Sequence, residues 1–590
     1  MPEKKNYGCF RNKIKAVSLV TFLCVLVLIA PPLSLLFYIR TFGVNVIYAD
    51  DWGGVSLVQK ALNDTLSFSD LFVQHNEHRM PFPNLFMTII EISTQYNMVA
   101  IMFFSWILLC LTLLIIFIVY RKNSRWTNNT RMLLAFLPAS LFLFSFRQWE
   151  SILWAITSQI YLMIFGAVAA LALLERSRDL DSWFVLSLIC ASLASFSFLA
   201  GLAVWPVGFF QLVISKWRSA LRQLTLWGIA SVGIFISYFW GWVKPAYHPP
   251  LMYAIAHPIE SVEYFFTFLG SPVGDSVLMS EALGLVAFMA TILVLVYAQK
   301  TKALRNNSLW LSVILFAAFF SFLATVGRSG FGVGQALSSR YTPVTSLGEI
   351  GAYFLALSVF EKRLHKSRGW APHLLLLLIT VIIVIACLGG YSEGLVSGEH
   401  WRSSREISAY VLSTYKIQSD ENIVNYLDAD PYMFVRSEAP FLEKNRLNVF
   451  SASPVHMSTL TLMQSNTSFE IETINDIPTK GQSMNFAIDS KQCQTLTIAG
   501  WAVDRKSGEV ASSVFIIIDN NTRIPTIYGL DRPDVVTHLK NPNLEFSGFW
   551  ATFSSSILVA GKHSVSLEII SVNGKYYYDQ NRVLTLVVST

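Results

Sequence analysis

Residues 98–125 read MVAIMFFSWILLCLTLLIIFIVYRKNSR: twenty-three residues without a charge, followed by three cations within five positions. About 20 apolar residues are enough for a helix to cross the hydrocarbon core of a bilayer. Basic residues directly after such a run favour a helix that ends on the cytoplasmic side. This stretch therefore predicts an integral membrane protein.

The same pairing of an apolar run with a basic cluster recurs along the first 370 residues. The six clusters are Lys4/Lys5/Arg11/Lys13/Lys15, Arg121/Lys122/Arg125/Arg131, Arg176/Arg178, Lys216/Arg218/Arg222, Lys300/Lys302/Arg305 and Lys362/Arg363/Lys366/Arg368. If all six face the cytoplasm, the loops between them lie outside and hold nearly every other polar residue of the apolar region. We therefore expect any chemistry on the extracytoplasmic side.

The apolar runs predict about eleven membrane-spanning helices in a polytopic α-helical protein. They cover roughly 16–39, 98–120, 132–146, 154–174, 182–199, 202–215, 224–243, 281–298, 309–326, 346–360 and 372–390, of which the third, sixth and tenth are short. The composition agrees, with 53% hydrophobic residues and a mean hydropathy of +0.48. The first run is interpreted as a retained helix with a cytoplasmic N-terminus, and the net charge of +6 requires no nucleic acid.

Three regions follow from this count: a membrane domain at 1–390, a polar and partly helical connecting segment at 391–455, and an extracytoplasmic all-β sandwich domain at 456–590. Residues 514–518 predict a buried strand, and the alternation along residues 564–569 predicts a half-exposed one. Six cysteines, four of them inside apolar runs, suggest no disulfide framework. The β-region carries Trp501, Tyr528 and Trp550, for which we expect packing roles rather than sugar stacking.

The first outside loop, about residues 40–80, begins with the adjacent acids Asp50 and Asp51. Two neighbouring carboxylates repel, which raises the pKa of one of them unless a cation compensates. One could then act as a general base while the other positions a partner. The alternative is that the pair caps a following helix, which the mixed pattern of Val55–Phe72 predicts to lie at the membrane interface.

The same loop continues with His75, Glu77, His78 and Arg79, ahead of Pro81 and Pro83, which argue against a long helix here. The spacing of the histidines does not match a known zinc motif, so a role in binding a polar substrate or an anion is favoured. A solvated loop is the alternative.

Two later outside segments are also polar. Arg147, Gln148 and Glu150 join the third and fourth helices, where an arginine and a glutamate should pair or line a wet cavity. Gly327–Gly334 and the following Ser338–Thr342 supply flexible glycines together with Arg328 and Arg340, whose guanidinium groups suit a phosphate. The alternative is a flexible loop with two surface arginines.

The strings Ala49-Asp50-Asp51-Trp52, His75-Asn76-Glu77-His78-Arg79, Arg147-Gln148-Trp149-Glu150 and Ser338-Ser339-Arg340-Tyr341 resemble those of bacterial membrane proteins similar to glycosyltransferases. More broadly, acids in the first outside loop and arginines in a late one resemble the C superfamily (GT-C) of glycosyltransferases, which use polyprenyl-phosphate-sugar donors. The resemblance covers about residues 16–390.

This resemblance implies that Asp50 or Asp51 deprotonates an acceptor hydroxyl, while Arg328 or Arg340 stabilises the departing lipid phosphate. Glu77, His78 and Glu150 would bind sugar hydroxyls or orient the acids. Arg79, Arg147, Gln148 and Tyr341 complete the expected substrate-binding set.

The implied partners are a polyprenyl-phosphate-sugar donor, a cell-envelope glycan acceptor and membrane lipid. Some members of the superfamily use a divalent metal, and the pair Asp50 and Asp51 does not decide this. The implied location is the bacterial inner membrane. Two alternatives remain: a transporter of lipid-linked glycans, and a non-catalytic assembly protein whose β-domain is the working part.

Overall fold

A computed structural model of the protein describes residues 19–124, 126, 129–216, 220–364, 371–451, 460–463, 467–479, 485–489, 493–579 and 584–589. The first basic cluster, Cys9, Arg125, Arg218, Lys366 and Arg368 lie outside the described residues, as do residues 16–18 of the first predicted helix.

Most of the described chain is α-helical. The helices are α1 Leu19–Phe42, α2 Gly53–Leu62, α3 Phe68–Leu71, α4 Pro81–Ser93, α5 Met98–Asn123, α6 Asn129–Leu143, α7 Trp149–Leu153, α8 Ser158–Arg176, α9 Ser182–Ser195, α10 Val204–Lys216, α11 Leu221–Phe239, α12 Tyr253–Ala256, α13 Pro258–Gly270, α14 Val277–Lys300, α15 Ser308–Arg328, α16 Thr342–Leu364, α17 Ala371–Ser413, α18 Asp420–Leu427, α19 Arg436–Lys444 and α20 Pro533–Leu539. Each of the eleven predicted apolar segments coincides with one of these helices.

Seven helical segments of the described chain are long and apolar enough to cross a membrane. They are Leu19–Phe42, Met98–Asn123, Asn129–Leu153, Ala155–Arg176, Val277–Lys300, Leu304–Phe331 and Ser339–Glu361. The expectation of a short tenth helix is wrong, because α16 has 23 residues. The first turn of α16 is polar. The Thr345 hydroxyl donates hydrogen bonds to the Thr342 and Tyr341 carbonyls at 3.2 and 3.4 Å. Because this polar side chain is hydrogen-bonded within the helix, the helix can begin at Thr342.

The first loop that the sequence predicts to lie outside is more structured than expected. A 3-10 turn, Ala49–Trp52, leads into α2, which ends at Leu62 instead of continuing to Phe72. Pro81 and Pro83 do not prevent a helix: α4 begins at Pro81 and runs for 13 residues. Both prolines lie in the first turn of α4. Backbone N–H groups in the first turn of a helix make no intrahelical hydrogen bond, so a proline there removes none.

Two compact units make up the chain. The first comprises residues 1–41, 72–83 and 102–398, and the second comprises 42–71, 84–101 and 399–590. The first unit contains most of the apolar helices. The second contains α2, α3, most of α4, α18, α19, α20 and the strands from residue 461 onward, and α17 contributes to both units.

The C-terminal region is β-rich, as expected, and forms two sheets. The first unit contains a short hairpin whose strands, β1 Gln74–His75 and β2 His78–Arg79, have two residues each. The C-terminal strands are β3 Thr461–Leu462, β4 Thr467–Ile474, β5 Ile477–Pro478, β6 Asn485–Asp489, β7 Thr495–Asp504, β8 Glu509–Val510, β9 Ser513–Ile518, β10 Thr522–Pro525, β11 Ile527–Leu530, β12 Gly548–Ser554, β13 Gly561–Ile570, β14 Tyr576–Asp579 and β15 Leu584–Ser589. One sheet has the order β10-β9-β13-β14-β3, with β15 joining β13 to β6. The other has the order β11-β12-β7-β4-β5, with β8 on β7.

Strand β9 alternates between buried and half-buried residues, so one of its faces is buried. The expectation that residues 564–569 form a half-exposed strand is wrong. Strand β13 is central in its sheet, and Ser566 and Glu568 on its second face are each only 3% exposed. Glu568 binds Arg523 at 2.6 Å, which compensates for the burial of its charge. Trp501 packs in a core with Val503, as expected.

Candidate functional site

A cavity of about 450 Å³ in the first unit has a mainly apolar wall and one charged end. We call it the Glu77 pocket. Its apolar wall includes Phe198, Phe235, Phe239, Trp242, Phe319, Phe320 and Leu323, and its polar groups are Glu77, His78, Lys244, His248, Arg328 and Tyr341. A cavity with these two parts suits an amphiphilic ligand with an apolar chain and an anionic head.

The β1–β2 hairpin brings Glu77 to this cavity. Residues Asn76 and Glu77 form a two-residue turn, and Asn76 has a φ of +51°, a conformation that asparagine tolerates better than most residues. The Glu77 carbonyl accepts hydrogen bonds from the Trp242 Nε1–H at 3.0 Å and from the Tyr238 hydroxyl at 3.3 Å. The turn is thus fixed to the end of α11.

Arg79 holds the other side of the hairpin. Its guanidinium donates to the carbonyls of Tyr238, Trp240 and Phe72 at 2.7, 2.6 and 3.1 Å. The side chain is buried, and it stacks against the Phe72 ring at 5.3 Å. These contacts position the loop that carries Glu77.

The Glu77 carboxylate lies among cations and histidines. Its Oε1 is 2.5 Å from Arg328 Nη2 and 3.5 Å from His78 Nε2, and its Oε2 is 3.5 Å from His248 Nε2. His78 Nδ1 accepts the Leu199 N–H at 3.2 Å, which leaves the ring proton at Nε2, facing Glu77. Burial opposes ionisation of Glu77, but His78, Arg328 and His248 outweigh it and lower its pKa to about 2.

Lys244 and His248 belong to this site but were not recognised from the sequence. Both follow α11, and Lys244 Nζ donates to the His248 carbonyl at 2.9 Å. Burial lowers the pKa of His248, and the charge of Glu77 opposes the shift. The signal available in the sequence was the presence of Lys244 and His248 directly after an apolar segment, in a loop predicted to lie outside.

Glu150 and Arg340 form a second polar group in the first unit. Arg340 Nε lies 3.1 Å from Glu150 Oε1, and the Ser338 hydroxyl donates to Glu150 Oε2 at 3.1 Å. The Arg340 guanidinium is 5.7 Å from the Trp154 ring. The neighbouring Tyr341 lines the Glu77 pocket and accepts a hydrogen bond from Gln335 at 3.1 Å.

Arg147 does not pair with Glu150. It forms an ion pair with Glu393 and donates to the Ser271 carbonyl at 3.0 Å. Gln148 donates to the carbonyls of Leu143 and Ser145 and accepts from Tyr161 at 3.0 Å. Both side chains are at least 97% buried and hold neighbouring backbone in place.

Asp50 and Asp51 lie in the second unit, on the turn Ala49–Trp52. Asp51 is 3% exposed and accepts the Tyr48 N–H at 3.4 Å, so it caps its own turn, whereas α2 has no side-chain cap. Glu91 is close enough to interact with Asp51 electrostatically.

Two acids near this turn have raised pKa values. Burial and the charge of Asp51 raise the pKa of Glu91 to about 8, with a hydrogen bond to Tyr96 opposing the shift. Burial raises the pKa of Glu438 to about 7. Arg405 is also buried here, with its guanidinium 3.4 Å from the Tyr48 ring. Glu91 and Arg405 were not recognised from the sequence.

Among the residues that the structure describes, no group of three or more His, Cys, Asp and Glu side chains could hold a metal ion. The sequence left the use of a divalent metal at Asp50 and Asp51 undecided, and this finding does not decide it.

No family model matches this chain. An uncharacterized protein of Archaeoglobus fulgidus is 24% identical over 249 residues, which cover 38% of this chain and 62% of that protein. This similarity names no activity for either protein.

Proposed function

We propose that this protein is an integral membrane glycosyltransferase of the GT-C type, which transfers a sugar from a polyprenyl-phosphate carrier to a cell-envelope glycan on the extracytoplasmic side. The observation that supports it most is the Glu77 pocket. Its apolar wall matches a polyprenyl chain, and Arg328 and Lys244 match the phosphate.

In this proposal the acceptor oxygen attacks the anomeric carbon, and the bond from that carbon to the phosphate oxygen breaks. The phosphate leaves with the electron pair, and Arg328 and Lys244 stabilise the charge that grows on it. Asp50 or Asp51 accepts the proton of the attacking hydroxyl. Glu77, whose pKa of about 2 keeps it ionised, accepts hydrogen bonds from sugar hydroxyls and orients Arg328.

The topology belongs to the same proposal. Eleven helices span the inner membrane from a cytoplasmic N-terminus, so the C-terminal β-region is extracytoplasmic. We propose that its two sheets pack as a sandwich. This is supported by the Tyr578 hydroxyl of one sheet, which donates to Asp504 Oδ1 of the other at 3.2 Å, and by the apolar residues that both sheets bury. This domain would hold the acceptor glycan or a partner.

The test is transfer by the purified full chain from a radiolabelled polyprenyl-phosphate sugar to envelope glycan. We expect Asp50→Asn or Asp51→Asn to lower the rate about 10²- to 10⁴-fold, as for loss of a general base. Asp64→Asn is the matched control, because Asp64 is an exposed acid of the same loop. Full transfer by both Asp50→Asn and Asp51→Asn would overturn the assignment of the base.

Donor binding is tested separately with polyprenyl phosphate that lacks a sugar. Arg328→Gln and Lys244→Gln should each weaken binding, whereas Arg222→Gln, whose side chain is 79% exposed, should not. Unchanged binding in both pocket variants, or movement of labelled lipid-linked sugar across vesicles without glycosyl transfer, would contradict the proposed function.

A further inference from the structure

A second cavity, of about 210 Å³, lies between α5 and α8 in the first unit. Its described lining is Ile115, Ile118, Val119 and Lys122 on α5, Ala169, Ala172, Leu173, Glu175 and Arg176 on α8, and Trp183 on α9. Positions 115, 118, 119 and 122 share one face of α5, and positions 169, 172, 173 and 176 share one face of α8. The two faces thus form an apolar groove, which we call the α5–α8 groove.

Both walls of the groove end in a cation. Lys122 and Arg176 are exposed residues of the last turns of their helices, seven positions beyond Ile115 and Ala169. Seven residues of helix rise by about 10 Å, so an apolar channel of that length leads to the two charges. The small side chains of Ala169 and Ala172 leave the channel open.

One acid, Glu175, belongs to the described lining and offsets part of this positive charge, since it interacts electrostatically with Lys122. Glu175 Oε2 accepts the Leu309 N–H at 3.0 Å and the Ser308 hydroxyl at 3.4 Å, at the N-terminus of α15. Its Oε1 accepts from Asn123 at 3.4 Å. These donors hold Glu175 in place, and Lys122 and Arg176 together exceed its charge, so the described lining keeps one net positive charge at this end.

Trp183 closes the charged end of the groove. The Arg176 guanidinium carbon lies 4.0 Å from the centre of its ring, which is a cation–π contact. Tryptophan is enriched at the level of the lipid headgroups, where its ring is partly apolar and its N–H is solvated. We therefore expect the charged end of the groove to lie at headgroup depth.

We propose that the α5–α8 groove binds one anionic phospholipid, with an acyl chain between the two helices and the headgroup phosphate between Lys122 and Arg176. Charge complementarity selects an anionic lipid over a zwitterionic one. The basic clusters predict that this end faces the cytoplasm, so the site is separate from the Glu77 pocket and does not depend on the proposed function. If instead the two cations only offset the dipoles of their helices, the groove has no preference for anionic lipid.

The test uses the full chain in phosphatidylcholine vesicles that contain a minor fraction of phosphatidylglycerol with a photoreactive group in its acyl chain. After irradiation, we expect crosslinks on the peptides that contain Ile115–Val119 and Ala172–Leu173. Excess unlabelled phosphatidylglycerol should suppress them, and excess phosphatidylcholine should not. Lys122→Gln and Arg176→Gln should each reduce the yield about fivefold, as expected for one cation near an anionic surface.

Arg178→Gln is the matched control, since Arg178 is an exposed arginine two residues beyond Arg176 and does not line the groove. Ala172→Leu keeps both cations but fills the channel, so it should also reduce the crosslink. Equal crosslinking by a phosphatidylcholine probe, or an unchanged yield in a folded Lys122→Gln/Arg176→Gln variant, would overturn the proposal.

Discussion

Glu77 in the first unit and Glu91 in the second are both buried, with 9% and 1% of their surface exposed, yet their pKa values shift in opposite directions. The pKa of Glu77 falls to about 2, whereas that of Glu91 rises to about 8. Burial disfavours the charged form in both cases. The neighbours differ: Arg328 and two histidines surround Glu77, and the nearby Asp51 adds a like charge to Glu91.

The comparison teaches that burial alone does not decide the charge of an acid in this protein. An ionised Glu77 suits a site that binds and orients hydroxyls and cations. A protonated Glu91 can donate a hydrogen bond. The following changes separate the effect of the neighbours from the effect of burial.

The largest effect is expected from Arg328→Gln. Removing one partner of a largely buried ion pair leaves the other charge uncompensated, which should lower the free energy of unfolding by about 3 kcal/mol. Denaturant titration of the full chain in detergent measures this. The double variant Glu77→Gln/Arg328→Gln should recover part of the loss, because no unpaired charge remains.

Arg340→Gln is the matched control for this change. Its pair with Glu150 is more open, with side chains 33% and 19% exposed against 23% and 11% for Arg328 and Glu77. We expect a loss of about 1 kcal/mol, as for a partly solvated pair. If Arg340→Gln lowered the free energy of unfolding as much as Arg328→Gln, the greater burial of the Arg328–Glu77 pair would not increase its contribution to stability.

The second prediction concerns pH. Because the pKa of Glu91 is raised from 4.5 to about 8, its contribution to stability is fully present below pH 4.5 and is lost as the pH rises to about 8. Glu91→Gln keeps the uncharged form, so the variant should be more stable than the wild type by about 3 kcal/mol at pH 7 and equal to it near pH 4.

Glu77 should show the reverse dependence. Its lowered pKa contributes stability above pH 4.5 that is lost as the pH falls towards 2, and Glu77→Gln should remove this acid dependence. Both profiles are measured as the difference in unfolding free energy between variant and wild type at each pH. Glu421→Gln, at an exposed glutamate of the second unit, should follow the wild type throughout. Parallel profiles for Glu77→Gln and Glu91→Gln would refute the contrast.

The helices could be predicted because hydropathy and turn residues act locally. The apolar run at 98–120 forms most of α5. Asp519 and Asn520, residue types that favour turns, both have positive φ and connect β9 to β10. The length of α17 was not expected, because its polar second half continues an apolar helix to Ser413 without a break.

The partners of the charged residues could not be predicted, since tertiary folding selects them. Glu77 pairs with Arg328, 251 positions away, and Arg147 pairs with Glu393 rather than with the nearby Glu150. Nothing local to Glu91 in the sequence indicates burial beside Asp51. Glu77, His78 and Arg328 could therefore be recognised as candidates from the sequence, whereas Lys244, His248 and the pairing of the charged residues could not.

A third change tests how closely the second unit packs around Glu91. A Cβ on Gly54 would lie 2.9 Å from the Tyr96 hydroxyl oxygen and 3.2 Å from Glu91 Oε1. Gly54→Ala should therefore destabilise the protein by about 1–2 kcal/mol, despite the better helix propensity of alanine. Gly228→Ala in α11 has open space around its Cβ and should instead stabilise by up to about 1 kcal/mol. Thermal unfolding midpoints that shift in the same direction would show that the surroundings of Glu91 can relax.

The smallest change in stability is expected for the solvent-exposed ion pair of Lys416 and Glu443. Lys416 Nζ lies 2.7 Å from Glu443 Oε2, nearly the separation of Arg328 and Glu77, but these side chains are 63% and 41% exposed. Solvent screens both charges and side-chain entropy opposes the contact, so Lys416→Gln should cost about 0.5 kcal/mol or less. Denaturant titration against Arg328→Gln under identical conditions measures the difference. If Lys416→Gln cost as much as Arg328→Gln, proximity of charges alone would explain the state of Glu77, and its burial in the pocket would contribute nothing.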